Sequence, residues 1–131
     1  MTLSKAAAPL VLIAEDEFLI AFDVQAALQD LGLRTTEPVS RGADAIQLAL
    51  RVKPDLLLMD IQLLDAIDGV EAARRITEQY EVPVIFLTAY SDPQMRARID
   101  EIPGSSLLVK PTIPHRLKAA VEHSLGRSLD A

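Results

Sequence analysis

The sequence predicts an α/β domain built on a doubly wound, five-stranded parallel sheet with helices on both faces. Three observations carry this. Strand-like runs begin at residues 10, 33, 55, 82 and 107, and each is followed by a stretch with helical periodicity. That alternation is the mark of successive βα units. The runs Leu10-Val-Leu-Ile-Ala14, Leu56-Leu-Leu-Met59 and Val82-Pro-Val-Ile-Phe-Leu87 are continuously apolar, as strands covered on both faces must be. Finally, 131 residues with no composition break or linker suit one domain of this kind, and right-handed crossovers leave few ways to wind it.

Each element has a local justification. Residues 1–8 read as a flexible N-terminal tail, the domain as 9–126 and residues 127–131 as a short C-terminal tail. After the first strand, residues 17–31 read as a helix whose stripe is Phe18, Ile20, Ala21, Val24, Ala27, Leu28 and Leu31, stopped by Gly32. Residues 33–39 form a weaker, more polar strand suited to an edge. Ser40 is placed to cap a second helix through Val52, ended by Lys53-Pro54. Residues 55–60 form the next buried strand, and 69–80 the third helix, with Asp68 as N-cap and Glu71 as its third-position acid. Pro83 sits at the start of the fourth strand, where a missing N–H is tolerated. Ser91-Asp-Pro93 opens the fourth helix, Leu107-Leu-Val109 reads as a last buried strand, and Pro114 starts a final helix through about Leu125.

Composition excludes several function classes. Half the residues are hydrophobic and 24% charged, which is globular rather than disordered. No apolar run approaches the ~20 residues needed to cross a bilayer. The absence of cysteine removes disulfides, thiolate zinc and thiol catalysis, and two histidines make a poor metal set. A net charge of −6 disfavours nucleic acid and anionic membrane as partners. The N-terminus lacks a signal-peptide pattern, so a cytoplasmic protein is expected.

In such a sheet, ligands bind beyond the carboxyl ends of the strands. Glu15, Asp16 and Glu17 follow the first strand, Asp60 ends the third, Thr88 and Ala89 follow the fourth, and Lys110 ends the fifth. Each has an ordinary reading alone: acids at a helix N-terminus, a turn-capping Asp, a β-branched strand residue, a strand-end charge. Together at one sheet edge they point to phosphoryl transfer to a carboxylate. A hard divalent cation takes a few carboxylates and retained waters; Asp16 and Asp60 are the expected direct ligands, Glu15 through water and Gln62 through its backbone carbonyl. Lys110 and the Thr88 hydroxyl would hold the remaining phosphoryl oxygens. Asp60, ending the central buried strand, is the best nucleophile, and the small Ala89 leaves room for a phosphodonor.

The segments Ala14-Glu-Asp-Glu17, Leu58-Met-Asp-Ile61, Asp68-Gly-Val-Glu71, Pro83-Val-Ile-Phe-Leu-Thr-Ala89 and Val109-Lys-Pro111, in this order and spacing, resemble response-regulator receiver domains of two-component signalling over about residues 9–125. The resemblance implies a flavodoxin-like strand order 2-1-3-4-5, a phosphoacceptor at Asp60, an acid pair at Glu15 and Asp16, a switch hydroxyl at Thr88 and the family lysine at Lys110. It implies Mg²⁺ or Mn²⁺, a histidine kinase or histidine phosphotransfer protein as donor, and a downstream protein target. It also implies a phosphorylation-driven change, and possible homodimerisation, on the face of the fourth helix, fifth strand and fifth helix. Ile99, Leu107, Leu117 and Val121 are the residues expected on that face.

The resemblance departs in three places. Leu107 stands where the family usually has Tyr or Phe, with Tyr90 as a possible substitute. The loop after Asp60 is one residue longer than in the most familiar members, and Gln62-Leu-Leu-Asp65 occupies it, as in a recognisable subgroup. Thr112 follows Lys-Pro where Phe is frequent. Gln62 and Tyr90 fall where the family flanks the path of hydrolytic water and are expected to set phosphate lifetime. His115 and His123 lack a four-helix setting and read as surface residues. The chain thus reads as a stand-alone receiver that modifies only itself and is not a turnover enzyme. The alternatives are a phosphorylation-independent adaptor, favoured by Leu107, and a small flavin or nucleotide binder, disfavoured because Glu15-Asp-Glu17 replaces a glycine-rich phosphate loop.

Overall fold

The computed structural model describes residues 8–89 and 92–129. Most of the N-terminal tail, Tyr90, Ser91 and the last two residues lie outside the described residues. The elements run β1 (Leu10–Ala14), α1 (Phe18–Asp30), β2 (Arg34–Thr35), α2 (Gly42–Val52), β3 (Leu56–Asp60), α3 (Gly69–Thr77), β4 (Val84–Thr88), α4 (Pro93–Asp100), β5 (Ser105–Val109) and α5 (Pro114–Leu125). All pairings are parallel, in the order β2-β1-β3-β4-β5.

The three central strands are apolar on both faces because both faces are covered. Leu12, Leu57, Met59, Val84 and Phe86 pack toward α2, α3 and α4 through Ala45, Ala49, Ala73, Ile76 and Ile99. Val11, Ile13, Leu58, Ile85 and Leu87 pack toward α1 and α5 through Val24, Leu28, Leu117 and Val121. Removing one of these fully buried leucines, as in Leu58→Ala, is expected to cost roughly 2–5 kcal/mol.

Several local readings change. Phe18 does not join the α1 stripe: it is 78% exposed, stacked on the likewise exposed Phe22 at a centroid distance of 6.5 Å. The rest of the expected stripe holds, with Ala21, Val24 and Leu28 buried and Ile20, Ala27 and Leu31 packed beside them, while Phe18, Leu19 and Phe22 face out. The second strand shrinks to two residues, with Val39 reaching β1 through an isolated bridge to Ala14. β5 is a half-exposed edge strand rather than a buried one, with only β4 beside it. Ser40 does not cap α2, because it lies two residues before the first helical residue; the first two amides of α2 bond instead to Asp65. Ile99, Leu117 and Val121 belong to the core, and the exposed apolar residues around β5 and α5 are Val109 and Ile113.

Other local signals hold. Gly32 stops α1 with φ +86°. Asp68 caps α3 by accepting from Glu71 N at 2.8 Å, and Asp92 caps α4 by accepting from Met95 N at 2.8 Å, with Pro93 in the first turn. After α5 the chain folds back, Leu129 N donating to Glu122 Oε2 at 2.8 Å.

Candidate functional site

The parallel register places the chemistry. Ala14, Met59, Phe86 and Leu107 form one row across β1, β3, β4 and β5. One step on, toward the carboxyl ends, come Glu15 and Asp60, and beyond them Thr88 opposite Val109. Lys110 follows, its N–H donating to the Thr88 carbonyl at 2.7 Å, and the Lys110–Pro111 peptide is cis. Four separate strand ends thus meet at one point.

Glu15, Asp16 and Asp60 each bring a carboxylate oxygen within 4.8 Å of the others. Glu15 and Asp60 are buried and Asp16 half-buried. The Lys110 Nζ lies 2.7 Å from Glu15 Oε1 and 3.2 Å from Asp60 Oδ2. The other Glu15 oxygen accepts from Glu17 N at 3.1 Å, and Asp60 Oδ1 accepts from Gln62 N at 3.3 Å. Gln62 itself is exposed at the start of the β3–α3 loop. Thr88 is buried, and together with Asp60, Gln62, Ala89, Asp92 and Met95 it lines a cavity of about 80 Å³ that opens from the Asp60 side chain.

The electrostatics are those of a site short of positive charge. Burial, then the neighbouring Asp60 carboxylate, pushes Glu15 up to about 7, against the pull of Lys110 and of the Glu17 amide. Burial acts to lower Lys110, but its bond to Glu15 and the charge of Asp60 outweigh this and the net shift is upward. Three carboxylates against one ammonium leave a deficit of two charges, and all the donors are hard oxygens. That set fits a divalent cation of the Mg²⁺ type.

Of the residues expected at the site, Glu15, Asp16, Asp60, Gln62, Thr88, Ala89 and Lys110 converge on this edge. Tyr90 lies outside the described residues. Leu107 lies one row away, half-buried against the α2–α4 cluster beside Phe86. His115 and His123 are exposed on α5. Two glycines escaped the sequence reading. A Cβ on Gly69 would lie 1.9 Å from the Asp60 carbonyl oxygen, and one on Gly42 would lie 2.2 Å from that of Ile67. The Asp68-Gly69 pair is visible in sequence as a helix start, but nothing local shows that its glycine is pressed against the backbone of Asp60.

Exposed apolar side chains near the site stand on α1, on the β3–α3 loop at Leu64 and beside Lys110 at Val109. Phe18, Leu19 and Phe22 stand out from the first turns of α1. Behind Lys110, a groove of about 560 Å³ runs between α1 and α5, lined by Ile20, Val24, Ala27, Pro111 and Leu117. Among the described residues no helix is long and apolar enough to cross a membrane.

The response regulator receiver domain family matches residues 11–122. The chain is 36% identical over 116 residues to the phyllosphere-induced regulator PhyR of Methylorubrum extorquens, covering 88% of this chain and 43% of that protein. It is 35% identical over 117 residues to the transcriptional regulatory protein PdtaR of Mycobacterium tuberculosis, covering 89% and 57% respectively. The chain therefore spans about half the length of these relatives. Among solved structures it is similar to the receiver domain of the sensor histidine kinase PA1611 of Pseudomonas aeruginosa, with a magnesium ion coordinated in that protein's active-site cleft. The TM-score is 0.81 at 31% identity, covering 92% of this chain and 99% of that one.

Proposed function

Since the chain belongs to the response-regulator receiver domain family, we propose that it accepts a phosphoryl group on Asp60 and passes the signal on as a changed protein-binding surface. The observation that carries this is the convergence of Glu15, Asp16 and Lys110 on the buried carboxylate of Asp60. The donor is a phosphohistidine on a histidine kinase or histidine phosphotransfer protein. The phosphorus–nitrogen bond breaks, a phosphorus–oxygen bond forms at Asp60, and the imidazole leaves to take up a proton.

Asp16 and Asp60 directly, Glu15 through water and the Gln62 carbonyl would hold Mg²⁺ or Mn²⁺, which neutralises phosphoryl oxygens. Lys110 and the Thr88 hydroxyl bind the others. Lys110 leaves Asp60 for the phosphoryl group without crossing the site. Its backbone is already fixed to that of Thr88. The protein carries out this chemistry on itself only and is not a turnover enzyme.

The histidine-bearing partner must cover the mouth of the site. Phe18, Leu19 and Phe22 begin two residues after Asp16 and are exposed, so they supply apolar contact at that rim. On the output side, Val109 and Ile113 are the exposed apolar residues for a downstream target or a second copy on the α4–β5–α5 face. Gln62 and Tyr90 set the lifetime of the phosphate, which timed phosphate loss from Gln62→Ala and Tyr90→Ala variants would test; unchanged half-lives in both would reject that role.

The main test is intact mass after incubation with a small phosphodonor, with and without Mg²⁺. One added phosphate, dependent on Mg²⁺ and absent from Asp60→Asn, is expected. No phosphate under any condition would favour an adaptor that works without phosphorylation.

A further inference from the structure

We propose that Asp65 is a positioning residue for the metal site: by bonding to the start of α2 it fixes the loop that carries Gln62, and so sets how tightly the acid cluster holds a divalent cation. This rests on the receiver reading above.

The β3–α3 loop, residues 61–68, leaves the sheet at Asp60. One end is fixed to β4, Ile61 N donating to Leu87 O at 3.2 Å, and the two ends are tied together by Gly69 N donating to Ile61 O at 2.7 Å. Its middle is held by a different element. Leu64 N donates to Ser40 O at 2.9 Å. The Asp65 carboxylate accepts from Gly42 N at 2.8 Å through Oδ1 and from Ala43 N at 3.0 Å through Oδ2. Gly42 is buried beneath the same loop, with the Ile67 carbonyl where a side chain would begin.

Asp65 therefore acts as the N-cap of α2 from 22 residues away. Arg41, at the local cap position, contributes no side-chain bond. The bonds from Ala43 and Gly42 also hold the Asp65 carboxyl below the usual carboxylate range. A carboxylate gripped at both oxygens restricts the backbone on either side of it. Three residues back is Gln62, whose N–H is bonded to Asp60 and whose carbonyl is the ligand proposed above. Without the clamp, residues 62–67 regain rotational freedom and must be reordered whenever a cation binds, so affinity falls.

The test is titration of Mg²⁺ into metal-free protein, followed by backbone amide NMR, beside thermal unfolding. Asp65→Ala should weaken Mg²⁺ binding by about tenfold or more, the scale seen when outer-shell partners of a metal site are removed. Asp65→Asn, which keeps one acceptor, should fall between, and it decides the matter if Asp65→Ala does not fold. Adding Arg41→Ser to Asp65→Ala gives α2 a local cap without restoring the clamp; thermal stability should recover while Mg²⁺ affinity stays weak. Unchanged Mg²⁺ affinity in the folded Asp65 variants, or affinity that recovers together with stability in the double variant, would overturn the inference alone. A wild-type protein that binds no Mg²⁺ would overturn it along with the receiver reading.

Discussion

The Lys110 ammonium sits closer to Glu15, at 2.7 Å, than to the phosphoacceptor candidate Asp60, at 3.2 Å. Glu15 has almost no solvent contact, so Lys110 is its main source of positive charge. Lys110→Ala should therefore destabilise the metal-free protein, by less than the ~3–5 kcal/mol typical of splitting a buried pair, because Glu15 can take up a proton. It should at the same time tighten Mg²⁺ binding, since a competing cation is gone. Urea unfolding checks the first effect and Mg²⁺ titration the second.

Stability without metal should depend on pH through Glu15. Its carboxyl titrates at 4.5 when free in water and at about 7 in the folded protein. Between these values the folded state holds more protons, so stability falls as pH rises from 4.5 through about 7, then levels. Glu71, held down to about 2 by its bonds to Arg74 and Arg75, loses its contribution only as pH falls below 4.5, outside that window. Urea midpoints measured in chelator should show the slope, and Glu15→Gln should abolish it. Mg²⁺ should oppose it, because metal ligands must be deprotonated.

Gly69→Ala should be among the costliest single-methyl changes in the chain. The added Cβ meets the Asp60 carbonyl oxygen at 1.9 Å, a backbone atom that cannot turn aside. A loss of about 3 kcal/mol, the upper end for forced overpacking, is expected. Any molecules that remain folded should bind Mg²⁺ less well, because the relief is movement of Asp60. Thermal unfolding and Mg²⁺ titration would show both.

Phe18→Ser and Phe22→Ser should separate partner transfer from intrinsic chemistry. Both side chains are exposed, so stability should change by no more than about 0.5 kcal/mol. Phosphorylation by a small donor should be unchanged, whereas transfer from a phosphorylated histidine protein should slow severalfold. Equal transfer rates would place the donor's docking surface elsewhere.

The fold was legible where local pattern coincides with tertiary environment. The unbroken apolar runs at residues 11–14, 56–59 and 84–87 become buried strands because helices cover both faces of the sheet there. Asp68, Pro93 and Gly32 act within their own turn, so their roles could be read from neighbours in sequence. The misreadings involve partners far along the chain. Ser40 looked like a cap because the competing carboxylate, Asp65, lies on another loop. Phe18 fits the period of α1 yet points outward, since periodicity gives a stripe but not its limits. Edge position, which leaves β5 half-exposed, is a property of the sheet and not of the strand's own residues. That Glu15, Asp60, Thr88 and Lys110 share one edge was legible because strand ends in a parallel sheet point one way, although the distances among Glu15, Asp60 and Lys110 were not.

The central place of β3 also bears on when the candidate site can first be complete. Asp60 leaves the middle strand, Glu15 comes from the neighbour on one side, and Lys110 lies 50 residues further along, two strands away on the other. Every one of these contacts is long-range, and parallel pairing of this kind forms late relative to local helices. A growing chain that has released α3 already carries its acids but has no lysine to set among them. The charge balance of the site is therefore complete only when β5 closes the sheet, and on the proposed function an incomplete chain would hold its acids without their counter-charge.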